Sequence, residues 1–550
     1  MSGFGERFRR AGHTVPKPLI EMEGKPIIAH VIAMFPGETD FLFVCNQAHL
    51  DEPSFRMAEI LRHYCPSGRI VGIAPHKLGP VHAVRTVESL LDADEPVIVN
   101  YCDFTCYWDW GPFKLFVDAT QCAGAIPAYK GFHPHSLGNT NYAYMRERNG
   151  WVEDIQEKQP YTKNRLEEYA SSGTYYFSSA RRMSQAFSAV VEQNLHVGGE
   201  YYVSLAYKPL LASGQSIAVY PLQHFMQWGT PEDVAEYNQW SSAFRRLIEK
   251  PDSTVTPRGT LVVPMAGLGQ RFASEGYPLP KPLIAVSGRP MVAQATQDLP
   301  PAQQHAFVLR ADMPGHDEVA AELRSLYPQA VLQTIDRVTD GQACTALIGL
   351  DALEQATTQV AEPITFGACD NGALYSAAKF AELASSPDVD VLVWGIRGYS
   401  GALRSPHMFG WLDVADGVVR SVSVKQPLSD PASDPIVLGT FTFRRAADFR
   451  RAVQRLIERD GRVNGEFYID SCINDAIALG LRCRLFEVDS YLCWGTPNDL
   501  RTFEYWQACF HKWPGHPYRL ELDRRIPEGK VALLAERYQA TIPPLPGVRP

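Results

Sequence analysis

The sequence predicts an α/β protein of two tandem domains, each a mostly parallel mixed sheet with helices on both faces. Three observations carry this. Motifs of the first half return in the second at nearly constant separation: Lys17 and Lys281 (281 − 17 = 264), Gly79 and Gly341 (262), Asp103 and Asp370 (267), Lys158 and Lys425 (267). So small a drift describes duplication of a whole domain, not a short solenoid repeat. Short apolar runs alternate with helix-patterned segments, the arrangement of a sheet covered on both sides. And 550 residues suffice for two sizeable cores.

In chain order, domain one spans 1–250. Its buried strands are expected at 41–45, 96–100 and 123–127, with a helix over 81–91. A polar, proline-containing linker follows at 251–259. Domain two spans 260–514, with strands at 260–264, 306–309, 330–334 and 389–394 and a helix over 351–360. A tail over 515–550 holds a helical stretch at 530–538 and a proline-rich end. The strand at 260–264 has no counterpart before the first glycine loop. The expectation is that Met1 corresponds to Met265 and that a first strand lies upstream.

Composition narrows the function. A net charge of −9 argues against a general nucleic-acid or anionic-membrane surface, so any phosphate site is local. No apolar run reaches membrane length, so no membrane insertion is expected. The eleven cysteines are scattered without paired Cys-x-x-Cys spacing, which predicts free thiols and a cytoplasmic protein.

The chemistry centres on a stretch that occurs twice. After the strand at 260–264 come Gly267, Gly269, Arg271 and Phe272, then Pro280, Lys281, Pro282 and Leu283. The echo is Gly3, Gly5, Arg7 and Phe8, then Pro16, Lys17, Pro18 and Leu19. Glycines at such a turn let backbone N–H groups approach a phosphate, and the Arg and Lys add charge. The third glycine of a dinucleotide fingerprint is absent, which disfavours nicotinamide or flavin. The composite Gly-x-Gly-x-Arg-Phe, Pro-Lys-Pro-Leu and Gly-Lys/Arg-Pro resembles the signature of the sugar-phosphate nucleotidyltransferases (nucleotide-sugar pyrophosphorylases).

That resemblance covers nearly all of residues 1–510. It implies two tandem Rossmann-like domains that transfer a nucleoside monophosphate from an NTP to a sugar phosphate, with Mg²⁺, for surface polysaccharide precursors. Arg7, Arg271, Lys17 and Lys281 would meet the triphosphate. Gly79 and Gly341 match the turn that closes on the base, and Gln342 the base-reading glutamine, where domain one has Pro80. Lys158 and Lys425 match the lysine that grips the acceptor phosphate. Glu157 completes a Glu-Lys pair that Val424 interrupts in domain two. Thr174 and Thr440 follow a repeated glycine near the acceptor. Asp103 and Asp370, at the carboxyl ends of strands, would hold the metal. The family's second metal aspartate is replaced by Gln227 and Cys493, and Glu200 and Glu466 are the candidate substitutes. His133 and His135 fall where the acceptor sugar would lie, and Tyr107, Trp108 and Trp110 read as packing. The competing reading is a non-catalytic tandem that binds nucleotide-sugars and regulates a pathway. A glycosyltransferase would want an Asp-x-Asp motif, which neither Asp103 nor Asp370 begins.

Overall fold

The computed structural model describes residues 1–3, 5–139, 141–249, 256–538 and 545–547. The expected linker therefore lies mostly outside the described residues, as does most of the proline-rich end. The chain forms two compact α/β units. Unit one is Met1–Asn238 with Lys512–His516 and residues 545–547, and unit two is Gln239–His511 with Pro517–Tyr538. The division falls inside the helix Pro231–Ile248.

Unit two is built on a nine-stranded sheet. Val331–Ile335, Gln304–Arg310, Thr260–Pro264 and Ile364–Phe366 lie side by side and parallel. Ile436–Phe443, Val391–Ile396, Cys483–Glu487, Val418–Val424 and Gly410–Ala415 follow, and only Val391–Ile396 with Cys483–Glu487 is a parallel pair among them. Unit one carries a seven-stranded sheet in the order Tyr169–Ser171, Ala143–Arg148, Trp151–Glu157, Ile217–Leu222, Gly124–Tyr129, Thr174–Phe177, Val97–Asn100, in which only Ile217–Leu222 with Gly124–Tyr129 is parallel. The sheets are thus mixed, and the parallel order expected for both holds only at one end of unit two. The cause is local. Asn149-Gly150 (φ 54° and 86°) and Asp416-Gly417 (φ 51° and 77°) make tight left-handed turns that fold each strand back on its neighbour.

Side-chain alternation explains why both faces are covered. In unit one Ile126 and Val219 face a core with Met183, Phe187 and Val190 of the helix Ala180–Glu192. Ala125, Ala218 and Tyr220 face the other way, toward Phe113 and Phe116 of the helix Trp110–Thr120. In unit two Val262 and Val391 look toward the helices Gln342–Ala356 and Ala446–Glu458. Leu261 and Val263 look toward Val319 and Leu323 of His316–Leu326.

The units differ at one place. In unit two Thr260–Pro264 bonds to Gln304–Arg310 on one edge and Ile364–Phe366 on the other. In unit one the counterpart of Gln304–Arg310 with Val331–Ile335 is Leu42–Asn46 with Arg69–Ile73, which forms a separate two-stranded parallel sheet. No strand among the described residues joins it to Val97–Asn100.

Candidate functional site

The glycine loops take the same form twice. Gly5 (φ 62°) and Gly269 (φ 61°), both left-handed, start the short helices Glu6–Arg10 and Gln270–Ser274. The next turn is anchored by Phe8 and Phe272, 2% and 1% exposed, which leaves Arg7 and Arg271 on the surface. A Cβ at Gly3, Gly5 or Gly267 would meet nothing within 4 Å, so the loop backbone is open to a ligand.

A lysine–carboxylate pair lies beside each loop. Pro16 and Pro280 lead into the single turns Lys17–Leu19 and Lys281–Leu283, and buried Pro18 and Pro282 fix them. The ammonium of Lys17 donates to Asp103 at 2.7 Å, and that of Lys281 to Asp370 at 2.5 Å. Burial opposes these two charges, but Asp103 and Asp370 outweigh it and hold both lysines above their ordinary range. Each aspartate is in turn held by its backbone: Trp228 N–H donates to the Asp103 carbonyl (2.8 Å) and Trp494 N–H to that of Asp370 (2.9 Å). A two-stranded ribbon follows in each unit, Phe104–Tyr107 with His224–Gln227 and Asn371–Leu374 with Ser490–Cys493.

Lys158 and Lys425 lie on a second wall. Lys158 and Lys425 both adopt φ 59°, a left-handed conformation rare for lysine. Their N–H groups donate to the carbonyls of Tyr142 (2.8 Å) and Phe409 (3.0 Å). The Lys158 ammonium donates to the Tyr202 hydroxyl at 2.5 Å, and that hydroxyl donates to Glu200 at 2.6 Å. In unit two Lys425 sits over the Tyr468 ring, 5.1 Å from its centre, and Glu466 acts electrostatically on the Tyr468 hydroxyl. Burial, then Glu466, pushes that hydroxyl up to about 12. Tyr202 and Tyr468 had no assigned role in the sequence. Their signal was there, in the repeated Gly-Glu-Tyr/Phe-Tyr, but not which ring would turn inward. In unit two the Arg271 guanidinium lies 3.9 Å from the Met408 sulfur, next to Phe409, whose carbonyl accepts from the Lys425 N–H, so the loop arginine reaches the segment that carries this wall.

Several sequence candidates have a packing task. A Cβ at Gly79 (φ 88°) would lie 2.7 Å from the Tyr201 nitrogen, and at Gly341 (φ 136°) 2.4 Å from the Phe467 nitrogen. These glycines let the Glu200 and Glu466 segments dock on the helices that begin at Pro80 and Gln342. Thr174 and Thr440 are 0% and 1% exposed, and the Thr174 hydroxyl donates to Asn100. His133, 1% exposed, packs with His135, Tyr129 and Phe225. Trp108 and Trp110 pack on Phe35 and Phe113.

The aspartates suit a hard divalent cation. Gly229 and Gly495 flank them, each with a Cβ position 3.4 Å from a carboxylate oxygen, so a larger residue would crowd that side. Mg²⁺ takes one or two carboxylates and fills its remaining positions with phosphate oxygens and water. Beside Asp103 the side chain of Gln227 turns away to donate to Asp233 at 2.6 Å. Among the described residues no three His, Cys, Asp or Glu side chains converge on a metal position. Glu200 and Glu466 face tyrosines, so their side-chain geometry lends no support to a ligand role.

Residues 1–196 match the model of the nucleotidyl transferase family. This part of the chain is similar to that family, over just over a third of the chain's length. The matched region includes Gly3 to Lys158 of the site above. Among curated relatives, the mannose-1-phosphate guanyltransferase of Kluyveromyces lactis is 31% identical over 147 residues, 25% of this chain and 38% of that protein. That of Candida albicans is 27% identical over 143 residues, with the same coverage. The chain spans under two-fifths of the length of these relatives. Of solved structures, a nucleoside-diphosphate-sugar pyrophosphorylase from Vibrio cholerae aligns with 44% of this chain and 98% of its own, at 20% identity and TM-score 0.37.

Proposed function

We propose that the protein is a sugar-phosphate nucleotidyltransferase whose two halves, 1–250 and 260–514, each form a Rossmann-like catalytic domain. An oxygen of the acceptor phosphate attacks the α-phosphorus of an NTP. The bond to the bridging oxygen breaks, and pyrophosphate leaves with that oxygen and its electron pair. The observation that carries this reading is the doubled constellation. A glycine loop with arginine and a lysine–aspartate pair recur in both units with matching partners, and a lysine beside a tyrosine recurs on the second wall.

The protein's part is positioning and charge. The loop N–H groups, Arg7 or Arg271, and Lys17 or Lys281 receive the triphosphate and offset charge on the leaving pyrophosphate. Asp103 and Asp370 would hold Mg²⁺, which supplies Lewis-acid neutralisation of phosphate oxygens. Lys158 and Lys425 hold the acceptor phosphate, and Tyr202 and Tyr468 fix the ammonium. Gln342 meets the base in the second half. The curated relatives make GTP and mannose 1-phosphate the first pair to try. The product serves surface polysaccharide synthesis in the cytoplasm. The neutral Gln227 and Cys493 favour a second reading, a nucleotide-sugar-binding regulator without turnover. A matrix of five NTPs against hexose 1-phosphates with Mg²⁺, read by pyrophosphate release, decides. Release that falls in Asp103→Asn or Asp370→Asn supports transfer, and none from any pair refutes it.

A further inference from the structure

Glu157 is the one acceptor-wall group that unit two lacks by sequence, and its surroundings change in a coordinated way. Glu157 pairs across the hairpin with Ala143, and Val424 pairs at the matching position with Gly410. In unit one Ser204 stands over this pair, and its hydroxyl donates to Glu157 at 2.6 Å. Four residues after the corresponding glutamate, unit two has Asp470 in place of Ser204. Three positions in contact have therefore exchanged together: Ala, Glu and Ser in one unit, Gly, Val and Asp in the other.

The exchange is sterically coupled. A Cβ on Gly410 would lie 2.4 Å from an Asp470 carboxylate oxygen, so the glycine makes the room that the aspartate occupies. Asp470 opens the helix Ile469–Ala478, where its dipole favours an acid. A role confined to the helix end would leave the carboxylate facing water. Instead it packs against Gly410, the cross-strand partner of the Val424 that precedes Lys425, just as Ser204 stands over the Glu157 that precedes Lys158. Burial raises both acids, Asp470 to about 6 and Glu157 to about 7, and the neighbouring lysine lowers both. Asp470 keeps partial exposure, and no side-chain donor among the described residues hydrogen-bonds to it. A group so placed retains acceptor capacity for a ligand hydroxyl.

We propose that Asp470 is the acceptor-pocket carboxylate of unit two, delivered from the helix where unit one delivers Glu157 from the strand. It binds a hydroxyl of the sugar whose phosphate Lys425 holds, and so sets which hydroxyl arrangement unit two accepts. What Lys425 holds rests on the transfer reading above. Because the two acids enter from opposite members of the contact, the two units select different sugars.

The test uses the full chain with Lys17→Ala, so that turnover reports unit two. Kinetics use the NTP and hexose 1-phosphate pair that this background turns over, and calorimetry uses mannose 1-phosphate. Asp470→Asn is expected to raise the KM for the sugar phosphate about tenfold or more, the loss of a hydrogen bond to a charged group, with kcat and the NTP KM held. Gly410→Ala/Val424→Glu/Asp470→Ser, which rebuilds the unit-one trio, is expected to recover acceptor binding with altered sugar preference. A sugar-phosphate KM unchanged in Asp470→Asn, or both KM values rising alike, overturns the proposal. If the background releases no pyrophosphate, the transfer reading fails for this unit and calorimetry decides the pocket. Binding of mannose 1-phosphate that weakens in Asp470→Asn and returns in the triple variant upholds it. No binding, or binding indifferent to Asp470, overturns it.

Discussion

The left-handed backbone of Lys158 and Lys425 makes a stability prediction that separates strain from contact. At φ 59° a residue with a Cβ costs roughly 1–2 kcal/mol relative to the ordinary helical region. The conformation is enforced, since the Lys158 N–H must reach the Tyr142 carbonyl and the ammonium must reach Tyr202. Lys158→Ala keeps the strain and loses the side-chain bond. Lys158→Gly loses the same bond but relieves the strain, while the greater freedom it gives the unfolded chain lowers stability by about 0.5–1 kcal/mol. The glycine variant should therefore be more stable than the alanine variant by about 0.5–1 kcal/mol, and the same order should hold at Lys425. Hydrogen exchange in a urea series, read by mass spectrometry, assigns the effect to a unit: peptides over 143–157 report the first and 410–424 the second. Both variants should lose acceptor binding equally. Alanine as stable as glycine at both sites would refute the claim that the acceptor lysines are held in a strained conformation for their chemistry.

Three further outcomes are expected. Gly79→Ala and Gly341→Ala should each destabilise their unit by about 2–4 kcal/mol in urea unfolding, because the new Cβ meets backbone at a positive φ. Glu157 has a folded pKa of about 7, raised by burial from 4.5, so the folded state holds its proton longer than the unfolded chain does. Its contribution is thus fully present below pH 4.5 and lost as pH rises to 7, a fall of the order of 3 kcal/mol that Glu157→Gln should remove from the pH–stability curve. Asp103→Asn and Asp370→Asn should each lower pyrophosphate release by their own half about a hundredfold while circular dichroism stays unchanged.

Much of this was legible in the sequence because the duplication repeats chemistry at fixed spacing. Lys17 and Asp103 are 86 residues apart, and the repeat at Lys281 and Asp370 marked each of them as a site residue; that the lysine and aspartate pair directly with each other in both units was not read from the sequence. The strands at 41–45 and 306–309 followed from apolar runs alone and were found at Leu42–Asn46 and Gln304–Arg310. Strand direction was missed: Asn149-Gly150 and Asp416-Gly417 are hairpin signals, and alternation of strand and helix hid them. The role of Tyr202 was missed because a repeated aromatic does not disclose which way it points. The Glu157–Asp470 exchange could not be found by aligning the halves, since the acid changes its place in the chain while keeping its place in space.

The comparison of the two units also shows what fixes the site. In unit two the strand before the glycine loop is bonded on both edges, and in unit one no described strand fills that position. Yet the lysine–aspartate distances are 2.7 and 2.5 Å, and the glycine φ values 62° and 61°. If the central strand set the loop, these would have diverged. They agree because the anchors lie elsewhere: buried Phe8 and Phe272, the Pro-Lys-Pro turns, and the ribbon whose Trp228 or Trp494 N–H holds the aspartate carbonyl. Among the described residues Leu42–Asn46 has one strand partner, Arg69–Ile73, and its Asn46 N–H also donates to the Met1 carbonyl at 3.4 Å. The loop and its lysine–aspartate pair are thus held by residues that recur in both units: the buried phenylalanine, the Pro-Lys-Pro turn and the ribbon beside the aspartate.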